Sequence, residues 1–294
     1  MHSAIRIGSR ESALAVRQAE IIRDLIQKYD PETEVRIITM KTTGDKILDK
    51  SLEKIGGKGL FVKELDRALL EGRIDLSVHS LKDMPMDVNG ELPILAFGER
   101  EDPRDVLIYR NGLKELPECP VIGTSSRRRA LQMERLYPGC TFRGIRGNVQ
   151  TRLRKLEEEG YDGTLLAAAG LKRLGMEHAA GRYLSVDEMI PAAGQGILAV
   201  QGRKGEIYDW ISQVDDPVSR AAALAERQFI RVLGGGCTSP SAAHAQISGN
   251  ELKLTGLCWS EKSGQYSRGV LCADVSRAEQ AGEELAKRLL REAE

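Results

Sequence analysis

Aromatic residues are scarce in this 294-residue chain, at 4%, and net charge is absent, since 43 Lys and Arg balance 43 Asp and Glu. The first shortage denies single-stranded nucleic acid a stacking platform. The second removes any molecule-wide field that would draw the chain onto a polyanion or an anionic membrane, so such attraction must be local. Long apolar runs are missing too. No segment approaches the roughly 18 residues of a membrane span, and Met1 to Ser12, charged at Arg6, Arg10 and Glu11, holds no signal-peptide core. A cytoplasmic protein without membrane or nucleic-acid partners is expected.

Cysteine and histidine are also few. Cys119, Cys140, Cys237, Cys258 and Cys272 are odd in number, scattered and without C-x-x-C, which excludes a disulfide framework and a zinc ribbon. His2, His79, His178 and His244 include no pair at the spacing of helical metal ligands, and no metal is expected. With 41% hydrophobic and 29% charged residues the composition is that of a folded globular protein, and the length predicts about two domains.

What is present is alternation. Ala4–Gly8 reads as a strand, a helix follows from about Arg10 to Lys28 with Ser9 as its N-cap, and Glu34–Met40 reads as the next strand. A Gly/Lys-rich loop (Ile55–Gly59) precedes a helix at Leu60–Leu70 stopped at Gly72, and Ile74–Val78 is another short strand. Beyond a Pro- and charge-rich crossing at Gly98–Arg104, strands at Val106–Tyr109, Val121–Gly123, Thr141–Gly144 and Thr164–Ala169 enclose helices at Ser126–Leu136 and Val149–Glu159. Such alternation implies mainly parallel sheets with ligands at the carboxyl ends of the strands. After Asp215–Pro217 come a helix (Val218–Leu233), three alternating strands and a closing helix (Ser276–Arg291).

Charge is concentrated in one place. From Arg127 to Lys155 nine basic residues face only Glu134, a local net charge of +8. Gly123-Thr124-Ser125-Ser126-Arg127-Arg128-Arg129 lies where a strand turns into a helix, so free N–H groups, hydroxyls and guanidinium forks can converge on a carboxylate or phosphate. Arg143 and Arg146-Gly147-Asn148 follow the next strand and place further cations at that end. A ligand with several negative groups fits.

Three loops add candidates. Ser80, Lys82 and Asp83 follow a strand end, where an acid beside a cation could stabilise positive charge developing on a substrate. Gly234-Gly235-Gly236-Cys237 exceeds what one helix cap requires, which makes a nucleophilic or carrier cysteine plausible beside the plainer reading of an inert thiol. Gly56-Gly57-Lys58-Gly59 fails the phosphate-loop spacing, leaving a surface loop or a lid over residues 42–60 with Lys58 and Phe61.

Together these stretches resemble the porphobilinogen deaminase (hydroxymethylbilane synthase) family. The matching residues are Ile7-Gly8-Ser9-Arg10 with Leu14-Ala15 and Gln18, Val78 to Pro85, Gly123 to Arg129, Arg146-Gly147-Asn148 with Thr151-Arg152-Leu153, Asp162-Gly163 with Ala169-Gly170-Leu171, Pro191 to Gly196, and Gly235-Gly236-Cys237. The resemblance implies an α/β fold of two type II periplasmic-binding-protein-like domains with mixed, largely parallel sheets, plus a small C-terminal α+β domain with a three-stranded antiparallel sheet. The corresponding divisions are 1–98 with 193–215, 99–192 and 216–294.

The resemblance further implies a monomeric transferase that condenses four porphobilinogen molecules head to tail, releasing ammonia, on a dipyrromethane joined to Cys237 by a thioether. Asp83 would be catalytic, stabilising the cationic azafulvene left when ammonia departs. Cofactor contacts would come from Asp83, Lys82, Ser80, Thr124, Ser126, Arg128, Arg129, Arg146 and Gly147, and substrate contacts from Arg10, Ser12, Arg146, Arg152, Gln195, Lys58 and Phe61. Arg127 stands where the family is commonly apolar and is expected to face solvent, and Thr238-Ser239-Pro240-Ser241 departs from the bulkier family pattern after the cysteine. The rival readings are a nucleic-acid-binding protein using the +8 segment and a non-catalytic solute-binding protein.

Overall fold

The computed structural model describes residues 4–42, 62–235, 240–260 and 262–293; Lys58, Phe61, Cys237 and the lid expected over residues 42–60, Thr42 apart, lie outside the described residues. In chain order the elements up to the crossing are β1 (Ile5–Arg10), α1 (Ala13–Tyr29), β2 (Val35–Met40), α2 (Lys63–Leu70), β3 (Leu76–Ser80), a 3₁₀ turn (Leu81–Asp83) and β4 (Ile94–Phe97). There follow β5 (Asp105–Tyr109), β6 (Val121–Gly123), α3 (Arg127–Leu136), β7 (Thr141–Arg143), α4 (Val149–Glu158), β8 (Gly163–Ala167), α5 (Ala168–Arg173) and β9 (Arg182–Leu184). The chain ends with β10 (Leu198–Gly202), α6 (Ile211–Val214), α7 (Pro217–Val232), β11 (Ala242–Ser248), β12 (Glu251–Ser260), β13 (Gln265–Asp274) and α8 (Ala278–Ala293).

Two compact units result, Met1–Glu101 with Ile197–Ala221, and Asp102–Gly196 with Ala222–Glu294. The first holds a sheet of order β2-β1-β3-β10-β4, in which β1 pairs parallel with β2 and β3 while β10 runs antiparallel to β3 and β4. Ile7, Ile22, Ile26, Leu76, Val78, Val200 and Trp210 form its core between sheet and helices. Helix α1 starts later than expected. Strand β1 runs on through Arg10, so Ser12 rather than Ser9 is the N-cap, its hydroxyl accepting from the Ala15 N–H, while Ser9 Oγ donates to the Arg10 carbonyl. Gly8 is fixed by packing: a Cβ there would lie 2.3 Å from Ile74 Cδ1 and 2.9 Å from Leu65 Cδ2, so only glycine lets α2 and β3 close on β1.

The second unit repeats the topology. Its larger sheet has order β7-β6-β8-β5-β9, with β6 parallel to β7 and β8, and β5 antiparallel to β8 and β9. In both sheets the first strand of a β-α-β run sits between the second and third, and a strand from elsewhere in the chain is inserted antiparallel. That is the mixed topology expected of the type II arrangement. The parallel share is half of each sheet's pairings, because β10 and β5 enter from chain crossings rather than through a local helix. The small sheet, β11-β12-β13, is antiparallel throughout, and α8 packs on it.

One carboxylate ties this unit together. Glu226, on α7 and fully buried, accepts from Gly194 N–H and Ala245 N–H, each at 2.7 Å, with His244 Nδ1 3.6 Å away. Both oxygens are needed as acceptors. Glu226→Gln turns one of them into a donor facing a buried N–H, and a loss of about 1–3 kcal/mol in urea unfolding is expected; an unchanged midpoint would contradict this account.

Candidate functional site

In the first unit the parallel strands β1 and β3 lie side by side, Ile7 opposite Leu76 and Gly8 opposite Ser77, so their ends deliver Arg10 and Ser80 to one edge. A cavity of about 30 Å³ there is lined by Arg10, Gln18, His79, Ser80 and Asp83, with Ala15, Val62 and Val78 behind them. Gln18 Nε2 donates to Ser80 Oγ at 2.8 Å, which orients the hydroxyl from α1. The turn carrying Lys82 and Asp83 is pinned by buried Leu81 and Met84, with the Leu81 N–H on the Ile197 carbonyl at 3.0 Å and the Met84 N–H on the Leu81 carbonyl at 3.1 Å. Asp83 is exposed at its tip, and Ser12 is half-buried at the start of α1.

His79 and Gln18 were not among the assigned site residues. His79 is buried, shares a 2.9 Å hydrogen bond with Ser77 Oγ, and is pushed down to about 4 by that burial. The imidazole is therefore neutral near pH 7 and adds no cation to the edge. Its signal in the sequence was its place inside the apolar strand before Ser80.

In the second unit two loops meet. The Thr124 N–H donates to the Arg143 carbonyl at 3.0 Å, and Ser125 Oγ donates to the Ile145 carbonyl at 3.1 Å, which fastens the loop after β6 to the loop after β7. Each loop opens a helix. Ser126 caps α3 through the Arg129 N–H and Asn148 caps α4 through the Thr151 N–H, and neither helix has an acidic residue in its first turn. Gly147, at φ +119°, makes the turn between Arg146 and α4, and a Cβ there would lie 2.5 Å from Thr151 Cγ2. Arg152 Nε donates back to the Gly147 carbonyl at 2.9 Å.

The basic residues of the +8 segment divide among several tasks. Arg128 and Arg129 are buried, with side chains 6% and 8% exposed, around Asp105 at 0%. Arg128 Nη1 donates to Asp105 Oδ2 and the Ile190 carbonyl, both at 2.7 Å; Arg129 donates through Nε and Nη2 to Asp105 Oδ1 and through Nη1 to the Leu165 carbonyl. Gln195 Nε2 joins the same carboxylate at 3.2 Å and the Pro103 carbonyl at 2.7 Å. Burial pulls the Arg128 guanidinium below its ordinary value, and the Asp105 charge opposes that.

Arg143 does not join the other cations at the loop edge. Its guanidinium lies 4.1 Å from the centre of the Tyr161 ring and donates to the Glu159 carbonyl, because an aromatic face and a helix C-terminus stand nearer than the loops. Arg154 and Lys155 pair along α4 with Glu158 and Glu159, Arg135 lies over Tyr266, and Arg127 is exposed as expected. A larger cavity of about 450 Å³, between Leu131, Glu134 and Arg135 on α3 and Trp259 and Tyr266 on the β12–β13 hairpin, contains none of the assigned site residues.

Sheets of this order, with hydroxyls, cations and helix N-termini at the carboxyl ends of their parallel strands, define an α/β protein of the ligand-binding class. Comparison with known proteins supplies the family. "Porphobilinogen deaminase, dipyromethane cofactor binding domain" matches residues 5–208 and "Porphobilinogen deaminase, C-terminal domain" matches residues 221–291. The porphobilinogen deaminase of Acetivibrio thermocellus is 53% identical over 99% of both chains, and that of Ruminiclostridium josui 52% identical over 97% of both. Among solved structures, the BenM effector-binding domain with its effector benzoate covers 72% of this chain and 88% of its own, at 15% identity and a TM-score of 0.43. The chain belongs to the porphobilinogen deaminase family, transferases (hydroxymethylbilane synthases) with a dipyrromethane cofactor.

Proposed function

We propose that this chain condenses porphobilinogen in the cytoplasm as a monomer of three domains, divided as 1–98 with 193–215, 99–192 and 216–294, and that the two polar edges described above grip the acid arms of the pyrroles. The reading rests chiefly on the loops at 123–126 and 144–148, which join two helix N-termini without an acidic first-turn residue and contain no carboxylate. Thr124, Ser126, Gly147 N–H, Arg146 and Arg152 form a set of donors and cations suited to acetate and propionate groups, each charge-assisted bond contributing about 1.5–3 kcal/mol. The donor chemistry therefore fits a dipyrromethane. When bound, that group supplies the pyrrole to which substrate is joined and stays attached to Cys237 by a thioether.

The chain's own residues take the remaining roles. Arg128 and Arg129 are positioned by Asp105, and Arg128 keeps the N–H groups of Nε and Nη2 outside its described bonds, available to a cofactor carboxylate. Arg10, Ser12, Lys82, Ser80 and Gln195 orient the acid arms, with Gln195 acting through Asp105. Asp83 faces the positive charge that develops as ammonia leaves. Lys58 and Phe61 remain assigned to the substrate side.

Intact-mass measurement tests the anchor. The purified chain is expected to weigh more than its 32.4 kDa by two linked pyrroles, and Cys237→Ser to lose both that mass and turnover. An unmodified wild-type chain that still releases ammonia would end the proposal.

A further inference from the structure

Two cysteines that the proposed chemistry leaves unused lie on neighbouring chain segments. Strands β6 and β7 are parallel with Val121 opposite Thr141, and the pairing continues upstream, the Thr141 N–H donating to the Pro120 carbonyl at 2.9 Å. One step further back Cys140 stands beside Pro120, so Cys119 and Cys140 are diagonal neighbours. Strands about 4.8 Å apart with a rise of about 3.3 Å per residue, continued by one step beyond the ladder, would place their Cα atoms about 6 Å apart. Disulfides form at Cα separations of roughly 4.4–6.8 Å. The Cys119 thiol is turned toward this partner segment: a Cβ placed on Gly139 would stand 3.7 Å from Cys119 Sγ, and Gly139, at φ +96°, has no side chain to interpose.

We propose that Cys119 and Cys140 are a redox modification site that closes reversibly to a disulfide. Exposure divides the roles. Cys119 is exposed and meets the oxidant first, whereas Cys140 is partly buried. Burial, with the neighbouring Cys119 sulfur and Glu134 adding to it, pushes the Cys140 thiol up to about 11. A small-molecule disulfide of the glutathione type serves as oxidant. The Cys119 thiolate attacks one sulfur of the oxidant, its S–S bond breaks, and the leaving thiolate takes up a proton. Cys140 then gives its proton to solvent and displaces the second thiol from Cys119. Two protein thiols lose two electrons and the oxidant becomes two thiols. The bond lies at the amino ends of β6 and β7, away from Thr124, Ser126 and Arg146 at the opposite ends.

Incubation of the purified full chain with oxidised glutathione, followed by tryptic mapping without reductant, tests the site. Residues 115–127 and 136–143 fall in separate tryptic peptides, since Arg127 and Arg135 lie between the two cysteines. The wild type should yield these joined at about 2 Da below the summed masses, with closure accelerating roughly tenfold per pH unit between pH 8 and 10 and reversing with dithiothreitol. Cys140→Ser should instead keep a stable glutathione adduct on Cys119, and exposed Cys272 should keep its own adduct in every variant. A wild-type chain that retains glutathione on Cys119, or that shows no joined peptide while Cys272 is fully modified, would overturn the proposal.

Discussion

Asp83→Asn is expected to cut ammonia release by about 10²–10³-fold, the scale measured when one preorganised electrostatic partner of a transition state is removed. The substitution keeps shape and volume and removes the charge. Leu81 and Met84, not Asp83, anchor the turn, and Asp83 itself is exposed, so stability should stay within about 0.5 kcal/mol of the parent. The covalently held group should still be present by intact mass, which separates lost chemistry from lost assembly. Single-turnover ammonia release is the decisive measurement. A near-normal rate from folded, pyrrole-bearing Asp83→Asn would take Asp83 out of the reaction.

The second large effect is on folding. Asp105→Asn leaves two buried guanidiniums without their shared counter-charge, and breaking a buried ion pair from one side costs about 3–5 kcal/mol. Gln195 also loses its charged acceptor. Denaturant unfolding should show the whole loss, while a double variant Asp105→Ala with Arg129→Met should lose less than the two single changes added together, because the stranded charge goes with its partner. Because α3 begins at Arg127, slackening of these arginines also moves the Thr124–Ser126 loop and should raise KM in the surviving fraction. A stability change under about 1 kcal/mol would show that Arg128 and Arg129 are satisfied without Asp105.

That carboxylate marks the limit of what could be read in advance. Elements whose own periodicity faces a single core were legible: α3, α4, α7, α8 and the alternating β11–β13 lie where their patterns predict, and α1 does so apart from its later start. The strands β4, β9 and β10 were not, since each is short and owes its strand character to a partner far away in sequence, as β10 does in lying between β3 and β4. The +8 segment was visible as composition, but composition does not say which way a guanidinium points. Arg128 and Arg129 turn inward because Asp105 stands 23 and 24 residues upstream, and Arg143 turns aside because Tyr161 offers it a ring. Ser80 was legible as a strand-end hydroxyl; the Gln18 amide that orients it arrives from another element, 62 residues away.

The sheet order β2-β1-β3-β10-β4 also constrains how the chain can be made. Among the described residues strand β4 pairs only with β10, and β10 begins at Leu198, about 100 residues after β4 ends at Phe97. At about 5–20 residues per second of translation, the nascent amino-terminal segment waits roughly 5–20 seconds with β3 as an open edge and β4 unpaired. Everything between Asp102 and Gly196 leaves the ribosome in that interval. The insertion that lets one sheet be completed by a returning strand therefore makes the first sheet, although begun earlier, close after the larger sheet of the second unit, whose last strand ends at Leu184, and leaves the edges of the first hundred residues open to wrong pairing in the meantime.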